Sequence, residues 1–123
     1  MPESHHPLDI LNLALALERL GGDAELLREI ARLFLDDTPR LLADIQKAIA
    51  VRDAQALASA AHALKGSVAN FGAETVLRAA LRLEKMGSAG DMNDLDRAYA
   101  VLEAEMNRLK PALVALGNEA ARE

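Results

Sequence analysis

The chain has 123 residues, 51% of them hydrophobic, which is enough for one domain with a buried core. Aromatics make up only 2% (Phe34, Phe71 and Tyr99), so that core is aliphatic, and cysteine is absent, which excludes disulfides, thiol catalysis and cysteine-ligated metal centres. Lys and Arg number 14 against 19 Asp and Glu, and the net charge of -5 argues against nucleic acid, whose recognition needs basic patches and stacking platforms.

Residues 1–8 read as a polar tail without the apolar stretch of a signal peptide. His5 and His6 are adjacent and lack a third ligand nearby, so no metal site is expected there. A short helix is predicted from Asp9, its N-cap, to Leu20, and Gly21-Gly22 ends it. Asp23 caps a long second helix to about Val51, with Leu27, Ile30, Phe34, Leu41, Ile45 and Ile49 on its apolar face. Pro39 predicts a kink in it, or a break with Thr38 as a new N-cap. Asp53 caps a third helix to about Ala69, and Asn70-Phe71-Gly72 connects it to a fourth from Ala73 to Met86. Gly87 to Gly90 read as a turn, and Asp91 to Asp94 supply the next cap. The fifth helix carries Leu95, Leu102, Met106, Leu109, Leu113 and Leu116, with Pro111 predicting a kink or an early stop. Residues 119–123 read as a second tail.

No period-two pattern of strands is present, and no apolar run approaches the roughly 20 residues of a membrane span. The expected fold is all-α: an up-down antiparallel four-helix bundle over residues 9–118, with a short additional N-terminal helix. A soluble, cytoplasmic monomer is expected.

The third helix carries the unusual residue. At about 100° per residue, Leu57, Ala61, Leu64 and Val68 fall within about 60° of one another and form the buried stripe. His62 then lies about 130° from the stripe centre and faces outward. Around it stand Gln55, Ala58, Ser59, Gly66 and Ala69, most of them small, where a solvated face ordinarily carries Glu, Lys and Arg. Gly66 costs a helix interior roughly 1 kcal/mol against Ala, and close approach of a partner to His62 would explain it. Lys65 stands one turn above the imidazole, where its ammonium can neutralise an anion on the ring. A metal site would want a ligand at i+3 or i+4, and those positions hold Lys65 and Gly66.

His62-Ala63-Leu64-Lys65-Gly66-Ser67, followed by Gly72-Ala73, resembles the signature of histidine-containing phosphotransfer (HPt) domains of two-component phosphorelays. Gly21-Gly22-Asp23, the internal Pro39 and Leu83-Glu84 also stand where that family has similar residues, so the resemblance covers about Asp9 to Leu116. It implies a phosphocarrier rather than an autonomous enzyme. His62 would accept a phosphoryl group from a receiver-domain aspartyl-phosphate and pass it to another receiver. Lys65 would offset the phosphate charge, and Ala58, Ser59, Gly66 and Ala69 would form the docking face. The implied partners are response-regulator receivers and a hybrid sensor histidine kinase. The receiver would supply the metal ion and acidic pocket, leaving this chain with no cofactor of its own.

Glu84 projects to the edge of the stripe formed by Val76, Ala80 and Leu83, a candidate to hydrogen-bond His62 or pair with Lys65. Arg78, Arg82 and Lys85 form a basic strip that could steer an acidic receiver, but an ordinary solvated face is the favoured reading. Asp37, Arg40, Leu41 and Asp44 of the second helix are expected level with His62. The alternatives are a non-transferring adaptor that binds receivers or kinases, and a bundle that dimerises through its small-residue face.

Overall fold

Asp23 and Asp53 each begin a helix. Both have extended backbone, and each carboxylate accepts a hydrogen bond from an amide N–H three residues on, Leu26 at 2.9 Å and Ala56 at 3.0 Å. Such caps satisfy donors that no helical carbonyl can reach. The computed structural model describes residues 13–119, which form α1 (Leu13–Arg19), α2 (Ala24–Ala50), α3 (Ala54–Val68), α4 (Glu74–Ala89) and α5 (Leu95–Glu119). A short 3-10 turn, Ala69–Phe71, links α3 to α4. No strand occurs among the described residues. The tail 1–8, the Asp9 cap, His5, His6 and residues 120–123 lie outside them.

The expected bundle is observed. α3 packs on α4, α4 on α5, α5 on α2 and α2 on α3, closing a ring around one core. α1 leans on α2 and on the 3-10 turn, where Arg19 Nη1 donates to the Ala69 carbonyl at 3.0 Å. The core is the aliphatic one that composition demands. Leu57, Ala61, Leu64 and Val68 of α3 meet Val76, Ala80 and Leu83 of α4, all fully buried. Leu102, Met106, Leu109 and Leu113 of α5 complete it. Removing the α3 cap tests how far this packing carries the helix alone. Asp53→Ala is expected to lower unfolding free energy by about 1 kcal/mol, read from the urea midpoint at constant slope.

Three expected helix interruptions do not occur: a break at Pro39, an early stop at Pro111 and an end at Met86. α2 is continuous through Pro39, and Thr38 is no N-cap. Its side chain is buried, and Oγ1 donates to the Phe34 carbonyl at 2.7 Å, a bond back along the same helix. Proline deletes one backbone donor, but Phe34, Leu41 and Ile45 are anchored in the core on both sides of it. α5 likewise passes Pro111, because Ala112, Leu113 and Leu116 are buried beyond it. Finally, α4 does not end at Met86. It absorbs Gly87 and Ser88 and stops at Gly90, whose left-handed backbone (φ 71°) closes the helix. The Asp91–Asp94 segment leads into α5 as expected: the Asp94 carbonyl accepts from the Ala98 N–H at 2.9 Å, and the Asp91 carboxylate accepts from the Asn93 N–H at 3.1 Å within the turn.

Candidate functional site

His62 sits in the third turn of α3, on the face opposite its buried stripe, with 67% of its side chain exposed. The stripe fixes the rotation of the helix, so the imidazole has no route into the core. Across the α3–α4 seam stands Glu84, whose side chain is only 20% exposed. Its two oxygens are divided between two partners on α3. Oε2 lies 2.9 Å from His62 Nδ1, and Oε1 lies 2.8 Å from Lys65 Nζ. The structure thus brings Glu84 to His62, which lies 22 positions earlier in the sequence, and to the neighbouring Lys65.

The Lys65 hydrogen bond is the largest cause holding the Glu84 carboxyl below the usual glutamate range; partial burial opposes it, and the His62 bond adds to it. Glu84 is therefore a carboxylate near neutral pH, and a carboxylate only accepts hydrogen bonds. The hydrogen between Glu84 and a neutral His62 must then be on Nδ1. That tautomer leaves the lone pair on Nε2.

The depressed Glu84 pKa has a sign for stability. The ionised pair stabilises the fold above the ordinary glutamate pKa, and that contribution is lost as pH falls through the lower, folded value. Wild type should exceed Glu84→Gln in urea midpoint near neutrality, and the gap should close as pH falls through and below the ordinary glutamate range. A gap independent of pH would show that the Lys65–Glu84 pair does not exist in solution.

The remaining expected site residues are spread unevenly. Ser59 and Gly66 are exposed beside His62. A Cβ built on Gly66 would meet nothing within 4 Å, so no packing inside this chain requires glycine there. Ala58 is half-buried, with its backbone against Gly87 of α4, and Ala69 is half-buried with its carbonyl taken by Arg19. Leu41 belongs to the core, whereas Arg40 and Asp44 pair with each other on the surface at 3.4 Å. Asp44 also lines an open groove between α2 and α3 with Lys47, Val51, Ser59, Ala60 and Ala63. Of the basic strip, Arg78 pairs with Glu74 at 3.4 Å, and Arg82 and Lys85 line a shallow depression beside it.

Sequence reasoning misses the Gly87 contact with α3. Its signal was present as Ala54 and Ala58, small residues four apart on the seam side of α3. Among the described residues no group of three or more His, Asp or Glu is placed to hold a metal ion, and no helix is long and apolar enough to cross a membrane.

A family model described as "Hpt domain" matches residues 29–112. The fold matches the crystal structure of the HPT domain from the Hpt sensor hybrid histidine kinase of Shewanella, with a TM-score of 0.79, 24% identity, and coverage of 91% of this chain and 97% of that one. No curated protein matches the chain.

Proposed function

We propose, for a chain that belongs to the Hpt domain family and so to the proteins of histidine phosphotransfer, that His62 is the phosphoacceptor and that Nε2 is the reacting atom. The Glu84–His62 contact supports this reading: with Glu84 ionised, the ring hydrogen belongs on Nδ1, which leaves the lone pair on Nε2 of a side chain that is 67% exposed. In transfer from an aspartyl-phosphate, Nε2 attacks phosphorus. The N–P bond forms as the bond to the acyl oxygen breaks, and the aspartate carboxylate leaves. The ring keeps its Nδ1 hydrogen and becomes cationic, and the Glu84 carboxylate offsets that charge at 2.9 Å. Transfer to a second receiver reverses these bond changes.

Lys65 has two roles in this scheme. Its ammonium holds Glu84 ionised, and its charge also offsets that of a phosphoryl group on the neighbouring ring. Gly66 and Ser59 leave the approach to Nε2 open, so receiver loops can close over it. The divalent ion and acidic pocket of the reaction belong to the receiver. This chain binds, orients the ring and carries the group.

The test is transfer of labelled phosphate from pre-phosphorylated receiver domains with Mg²⁺. Acid-labile, base-stable label on the intact chain is expected. Receiver binding without label across a broad panel would replace the carrier by an adaptor.

A further inference from the structure

We propose that Gly87 is a positioning residue for the histidine: it lets α4 lie against the α3 backbone and so sets the gap across which Glu84 reaches the His62 ring. The inference rests on the reading of His62 as a phosphoacceptor oriented by Glu84. A Cβ at Gly87 would stand 2.7 Å from Ala58 N, 2.8 Å from Ala54 O and 3.1 Å from Ala58 Cα. All three are backbone atoms inside a helix, so none can swing aside. Any side chain here needs the two helices to part locally by about half an ångström or more.

That displacement falls next to the site. Ala54, Ala58 and His62 follow one another at four-residue steps along one side of α3. Gly87 and Glu84 are three residues apart on α4, running the other way. The glycine contact and the carboxylate contact are therefore neighbouring rungs of one seam. Glu84 is gripped at both oxygens from α3, at 2.8 Å by Lys65 and 2.9 Å by His62. When α4 moves out, the long, flexible Lys65 stem can follow it. The short imidazole side chain, fixed by the buried stripe beneath it, follows less. The Glu84–His62 hydrogen bond, which orients the ring, therefore breaks before the Glu84–Lys65 pair does. The two interior glycines of α3 and α4 thus have different causes: Gly66 faces open space, and Gly87 faces another helix.

The experiment follows the ring nitrogens of His62 by ¹⁵N NMR at about pH 8.5, above the ordinary histidine range, alongside the rate of phosphoryl transfer. Wild type is expected to carry the neutral-ring proton on Nδ1. Gly87→Ala should move the balance toward Nε2–H and slow transfer about tenfold. In a Glu84→Ala background the same substitution should add no further change in either readout. A folded Gly87→Ala protein with the wild-type ring signature and rate overturns the inference, as do effects that simply add to those of Glu84→Ala. Glu84→Asp tests the same gap without touching the seam, by shortening the reach by one methylene. It should lose the Nδ1–H signature, and retention of that signature overturns the inference even if Gly87→Ala fails to fold. A ring that responds as expected in a protein that takes no label supports the geometry and overturns the phosphoacceptor reading. Label on His62 with an unresponsive ring does the reverse.

Discussion

His62→Gln is expected to take no label from phosphorylated receivers, a loss of at least about a thousandfold in transfer, because an amide offers no comparable nucleophile. The substitution removes an exposed ring and one solvent-facing hydrogen bond, so stability should change by no more than about 1 kcal/mol. Helical circular dichroism and the urea midpoint check that the loss is chemical. Label on both proteins would place the phosphoryl group on His5 or His6, the other two histidines of the chain. That outcome would sink His62 as the carrier while leaving the Hpt domain family assignment untouched.

Phe71→Ala should have the largest effect on stability, about 3–5 kcal/mol. Phe71 is 1% exposed, and its ring lies 5.6 Å from that of Phe34, tilted by 53°. Phe34 is itself packed in the core at 5% exposure, so truncating Phe71 leaves a cavity against it. The residue also closes the 3-10 turn that carries α3 into α4, so its loss loosens the seam that presents Glu84 to His62. The expected drop in melting temperature is about 10–20 °C, measured by calorimetry or circular dichroism. A drop of only a few degrees would mean that the Phe34–Phe71 contact contributes little and that the aliphatic layers alone hold the bundle.

The helices were legible because their physics is local. Asp23 and Asp53 cap where their side chains reach the next turn, and the α3 stripe predicts both the buried residues and the outward face of His62. The helix interruptions that were expected and do not occur share a cause. Pro39, Pro111 and Gly87 are poor helix residues by propensity, and each sits inside a helix because burial on both sides outweighs the cost of one lost donor or one glycine. Propensity is worth about 1–3 kcal/mol at such a position, whereas the buried side chains flanking it contribute several times that together.

By itself, the sequence determined the helical fold, the register of the histidine helix and the motif around His62, since each depends on residues within a few turns of one another. The tertiary structure alone decided that Glu84 bridges His62 and Lys65, that this pairing lowers its carboxyl pKa, and that Gly87 faces the α3 backbone with no room for a side chain. Those features depend on the distance between two helix axes. A side chain at Gly87 would collide with the backbone of the Ala54–Ala58 turn, a constraint that no spacing along one helix encodes.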